Sequence, residues 1–84
     1  MKSYERIISV EPLPDYRLLL VFADKPEVKR VYDVKPLLKY EVFKDLKNEA
    51  FFKTAFIEGA SIAWNDDIDI CPENLYMDSV PYEE

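Results

Sequence analysis

The chain has 84 residues, 49% of them hydrophobic and 33% charged, with 17 acidic against 11 basic side chains and a net charge of −6. That composition fits one small folded domain over residues 1–84 rather than a disordered segment. It has no histidine, one cysteine and one glycine, which excludes His-based triads, His-ligated metals, an internal disulfide and glycine-rich phosphate loops.

Residues 4–13 read as a strand: Ile7, Ile8 and Val10 are β-branched, and Pro12 and Pro14 close the segment. Pro14-Asp15 signals a turn. Residues 16–23 form the strongest strand. Leu18, Leu20 and Phe22 share one face and Leu19 and Val21 the other, so it belongs at the centre of a sheet or under cover on both sides. Asp24-Lys25-Pro26-Glu27 makes the next turn. In residues 28–34, Val28, Arg30, Tyr32 and Val34 alternate with Lys29, Val31 and Asp33, completing an antiparallel meander. Lys35-Pro36-Leu37-Leu38 predicts a helical turn with proline early in it. Beyond Glu41 the spacing of Val42, Phe43, Leu46, Ala50 and Phe51 becomes helical, and Asn48 is placed to cap a short helix over residues 49–53.

Alternation returns in residues 55–58 and 61–64, where Ile62 and Trp64 point the same way. The sole glycine, Gly59, falls between them, where a hairpin needs positive φ. Asn65-Asp66-Asp67 is a loop and residues 68–71 a short strand. Pro72 opens a last helix over residues 73–77, with Leu75 and Tyr76 closing the core. The ordered core spans about residues 4–79, and residues 80–84 read as an acidic tail. The fold class is α+β: a small curled antiparallel sheet, made of the N-terminal three-stranded meander and a C-terminal hairpin, with two or three short helices.

Charge is unevenly placed. Residues 1–48 hold ten basic and eight acidic side chains, whereas residues 49–84 hold one basic, Lys53, and nine acidic. The second half repels phosphates and anionic lipids and suits a basic partner, although the same charge also serves solubility. Asp66, Asp67, Asp69 and Glu73 cluster there, flanked by Trp64 and Tyr76. An exposed Trp64 would be the natural anchor, tryptophan being frequent among binding hot spots. With Tyr4, Tyr16, Phe22 and Phe56, however, Trp64 fits a core better than a ligand box.

Asn65, Asp67 and Asp69 alternate like the first ligands of a calcium loop. Ile70 then stands where glycine is required and Tyr76 where the bidentate carboxylate belongs, so a polar hairpin loop is the better reading. No metal or other cofactor is expected. Nor is catalysis, because no nucleophile, imidazole or oxyanion hole accompanies the carboxylates. Cys71 reads as a small core residue with its thiol dulled by acidic neighbours. Ser3, Ser9, Ser61 and Ser79 read as turn or surface hydroxyls.

The first half offers an alternative. Lys25, Lys29, Arg30, Lys35, Lys39, Lys44 and Lys47, interleaved with Tyr32 and Tyr40, form a strip suited to phosphates and stacked bases of single-stranded nucleic acid. Asp24, Glu27, Asp33, Glu41 and Asp45 dilute its field, which disfavours nucleic acid as the partner.

The ordered segments "YRLLLVFAD", "KRVYDVKPLL", "VFKDLKNEAFF" and "IAWNDDIDICPENLYMDS" together resemble family 2442 of the bacterial domains of unknown function. Asp24, Asp33-Val34, Pro36, Phe43, Leu46, Phe51, Trp64, Asp69, Pro72, Leu75 and Tyr76 carry the resemblance over about residues 7–79. Two places depart from the family pattern. Asp24-Lys25-Pro26-Glu27 replaces a glycine-containing hairpin, and Asn65-Asp66 replaces a proline after the tryptophan. The resemblance implies a curled antiparallel sheet with short helices and no known active site. Members' genes often lie beside those of another small family, so it also implies an antitoxin-like association.

These readings converge on a non-enzymatic protein-interaction module that binds a basic protein through its acidic C-terminal half. The alternative is a nucleic-acid-binding or regulatory module using residues 25–47. No run of about 18 apolar residues is present to span a bilayer and the opening residues lack a signal-peptide core, so no membrane association and a cytoplasmic setting are expected. Sheet edges and aromatics are compatible with a homodimer.

Overall fold

The computed structural model describes residues 6–65 and 67–82. Ser3, Tyr4, Asp66 and the last two residues of the expected tail lie outside them. Among the described residues, strands β1 (Ile7–Leu13), β2 (Arg17–Phe22), β3 (Lys29–Asp33) and β7 (Val80–Pro81) form one antiparallel sheet in the order β1-β2-β3-β7. Strands β4 (Phe56–Glu58), β5 (Ser61–Ala63) and β6 (Asp69–Ile70) form a second, in the order β4-β5-β6. Two 3-10 turns, Lys35–Lys39 and Glu41–Lys47, lead into helix α1 (Glu49–Phe52), and helix α2 (Pro72–Asp78) joins β6 to β7. The fold is α+β with antiparallel sheets.

The central position of β2 follows from its apolar run. Leu18, Leu20 and Phe22 are buried, while Leu19 and Val21 on the opposite face are half-buried. The meander therefore packs fully on one side only. β1 is its outermost strand. The register breaks between Ile7↔Phe22 and Ser9↔Val21, so Ile8 bulges out of the ladder and is exposed. Pro12 sits in the same strand opposite Leu18, a position an outermost strand tolerates.

The β1–β2 turn differs from the sequence expectation. Tyr16 belongs to the turn and not to the strand: it has φ 58° and follows Asp15 at φ 68°. Left-handed backbone is costly for a bulky residue. Tyr16 is held there by three contacts. Its ring meets Phe52 edge-on at 5.4 Å, its hydroxyl donates to the Lys47 carbonyl, and its own carbonyl accepts from the Val34 N–H at 2.9 Å.

The expected helical stretch from Glu41 is a 3-10 turn over Glu41–Lys47. A three-residue period puts Phe43 and Leu46 on one line, and these are the residues it turns inward, leaving Val42 exposed. Asn48 caps α1 as expected, its Oδ1 accepting from Ala50 N–H at 2.9 Å and Phe51 N–H at 3.3 Å. Gly59 has φ 62° in the β4–β5 turn.

One cluster of buried side chains joins the sheets: Leu18, Leu20 and Phe22 from the first meet Ile62 and Ile70 from the second, with Phe52, Trp64 and Leu75. Three expectations need correction. Residues 80–81 are not tail but strand, pairing with Arg30 and Val31. Cys71 is exposed rather than core, because it stands just ahead of α2 as its N-cap. Phe56 is also exposed, on the face of the second sheet opposite the buried Ile62–Ile70 pair, although its direct partner Ala63 is buried.

Candidate functional site

The acidic loop is built by local hydrogen bonds. The Trp64 N–H donates to the Ile68 carbonyl at 2.9 Å, closing the β5–β6 connection. The Asn65 Oδ1 accepts from the Asp67 and Ile68 N–H groups at 2.8 and 2.9 Å. This is a side-chain-stabilised polar hairpin loop, and the oxygen that would open a calcium-like ligand set is engaged with backbone. Asp67 and Asp69 are exposed. Asp66, part of the expected cluster, lies outside the described residues.

Trp64 does not serve as an exposed anchor. It is 4% exposed, stacks on Phe52 at 5.9 Å and donates its indole N–H to the Phe52 carbonyl at 2.8 Å. Its large ring is buried in the core, and its one donor finds a buried acceptor there. Tyr76 is half-buried against Phe22, the ring centroids 5.1 Å apart. Glu73 is exposed in the first turn of α2.

Two adjoining depressions border the loop, and Asn65 lines both. The first, about 280 Å³, is lined by Glu58, Ser61, Asn65 and Asp69. The hairpin register explains it. Glu58 pairs with Ser61 and Ala63 with Asp69, so Glu58, Ser61 and Asp69 share one face of the second sheet with the buried Ala63, and Asn65 follows in the loop. Glu58 was absent from the candidates read from sequence. The two-residue Gly59-Ala60 turn was the signal that sets it opposite Ser61. The second depression, about 380 Å³, is lined by Lys44, Asp45, Asn48, Phe51 and Asn65. It brings the 3-10 turn and α1 beside the acidic loop.

Glu58, Asp67 and Asp69 are in no ion pair among the described residues. The ion pairs there are Lys35 with Asp33 at 3.1 Å and Lys44 with Glu41 at 2.8 Å.

The fold takes up part of the basic strip. Tyr32 is 4% exposed and offers no ring to a base. Arg30 is turned onto the C-terminal segment: its Nε donates to Ser79 Oγ at 2.8 Å and its Nη2 to the Ser79 carbonyl at 2.7 Å, with the guanidinium 5.8 Å from the Tyr76 ring centre. Ser79 is thus a buried hydroxyl and not the expected turn or surface group. Lys35 bonds the Asp15 carbonyl as well as Asp33. Lys39 lies 5.3 Å from the ring centre of exposed Tyr40, and Lys29 is exposed on the strand edge.

No helix among the described residues is long and apolar enough to cross a membrane. Searches of curated proteins and of solved structures each found no match. A scan of protein families matches residues 7–81 to the family described as "protein of unknown function (DUF2442)". That span runs from β1 to β7 and includes both depressions, and the chain belongs to this family.

Proposed function

We propose that this domain is a non-enzymatic interaction module that binds a basic protein through the acidic outward face of its second sheet and the adjoining loop. One observation carries the reading. Glu58 and Asp69 line one depression, Asp67 stands beside it, and no cation of the described chain pairs with any of the three. Solvated carboxylates gathered in one concave place draw a cationic partner and speed its approach. In sequence, residues 49–84 hold nine acidic side chains and one basic. The antitoxin-like role implied by the family resemblance fits a basic partner. With Trp64 buried, recognition rests on the carboxylates and polar groups of this face and not on an aromatic anchor.

The test is an affinity capture from the native host at low and then high salt. It compares the wild-type chain with a variant carrying Glu58→Lys, Asp67→Lys and Asp69→Lys. A basic protein held by the wild type, released by salt and missed by the folded variant supports the reading. Capture that ignores the charge reversal, or recovery of RNA alone, overturns it.

A further inference from the structure

The second depression has a chemistry of its own. Asn48 and Asn65 both line it, and each has its side-chain oxygen committed to two backbone N–H groups. A backbone N–H can bond only the oxygen of an amide, so these bonds fix which end of each side chain is nitrogen. Both NH2 groups are thereby held in set orientations, with no bond to the described protein. Donors positioned before a ligand arrives lose little freedom on binding it. Lys44, ion-paired with Glu41, also lines it, with Asp45 as an acceptor and half-buried Phe51 as an apolar wall.

We propose that the basic partner lays an extended segment across Asn65, and that the Asn48 and Asn65 amides donate to its main-chain carbonyls. This rests on the reading above: the acidic depression receives a lysine or arginine side chain, while the neighbouring one holds the backbone that carries it. Two features favour an extended peptide over a free polyamine or metal ion. Fixed amide donors have nothing to bond in a bare cation, whereas a peptide offers a carbonyl at every residue. The depressions also adjoin through a shared residue, so one short chain reaches both. Contact is made through side-chain amides on a face, in contrast to strand addition at an open edge.

Replacing Asn48 and Asn65 by aspartate separates the donors from the charge. Asn48→Asp and Asn65→Asp keep an oxygen for each pair of backbone N–H groups, so the local turns persist. They remove the NH2 donors and add negative charge. The folded chain is titrated, by NMR of the 15N-labelled protein, with a ten-residue peptide alternating lysine and serine, and with spermine as a cation that has no carbonyl. Each variant is expected to bind spermine at least as tightly as before, and the peptide about three- to ten-fold more weakly relative to spermine, the scale of one lost hydrogen bond. In the wild type, the peptide and not spermine shifts the Asn48 side-chain NH2 signals, Asn65 lining both depressions. Peptide affinity that follows spermine affinity in the variants overturns the carbonyl contact, as does failure of the peptide to move those signals. The acidic surface is scored separately, by loss of both probes in Glu58→Lys and Asp69→Lys.

Discussion

Asn48 closes the gap between a 3-10 turn and a four-residue helix too short to hold itself together, and it does so with one oxygen serving two N–H groups. Asn48→Ala leaves both donors to water and is expected to lower stability by about 1 kcal/mol in urea unfolding. Gly59 illustrates a purely backbone requirement. At φ 62° an added Cβ meets nothing within 4 Å, so Gly59→Ala is resisted by the torsion and not by crowding. A loss of about 1–2 kcal/mol is expected, with the side chains of the core unmoved in NMR spectra. Tyr32 is sensitive to alkali. Burial first, then the charges of Asp78 and Asp33, push its phenol above its ordinary value of 10.0. The folded chain therefore holds that proton more tightly than the unfolded chain. The corresponding stability is complete below about pH 10 and is lost as pH rises through the folded value. The urea midpoint should fall more between pH 9 and pH 11 in the wild type than in Tyr32→Phe, and equal falls would contradict this origin.

Among the elements, β7 depends most on a single side chain. It has two residues, one of them proline, and Arg30 bonds Ser79 directly before it while the Tyr82 N–H reaches the Lys29 carbonyl at 2.8 Å. Arg30→Ala is expected to speed hydrogen exchange at Tyr82 about ten-fold or more, the scale of a charged hydrogen bond, well beyond any change at Leu20 in β2. The same strand shows where sequence stops being informative. The β2 and β3 alternation, the Asn48 cap and the Gly59 turn are written in neighbouring residues, and all are found where the pattern puts them. A Val-Pro pair ahead of acidic residues has the composition of a tail, and pairing with distant Arg30 and Val31, beside the Arg30–Ser79 bonds, makes it a strand. Leu46 and Phe43 announce a buried line but not whether its period is three or 3.6. The candidate site was half legible. The carboxylates could be counted, but whether Trp64 faced water depended on the Phe52 carbonyl. The grouping of Asn48 with Asn65 depended on how α1 packs beside the β5–β6 loop.

At the scale of the whole molecule, one core serves two sheets. Leu18 and Leu20 share it with Ile62 and Ile70, and Phe52 and Trp64 lie between in sequence. Neither sheet keeps its buried face if the other leaves, so the chain is expected to unfold in a single transition. Trp64 fluorescence and far-UV ellipticity should give the same urea midpoint, and two midpoints would mean that the sheets come apart separately. The charge distribution is likewise a property of the whole, because one depression takes its carboxylates from β4 and β6 and its amide from the loop between β5 and β6. The interrupted β1 ladder has a further consequence. A straight, well-paired outer strand invites another chain to continue the ribbon, and repeated additions grow a fibril. Here the bulge at Ile8 bends the ribbon and Pro12 withholds a donor, while β4 and β6 end after three and two residues. Together with two-residue β7 at the other edge of the first sheet, the described residues thus offer no long straight edge for stacking, and aggregation is expected to wait for the core to open.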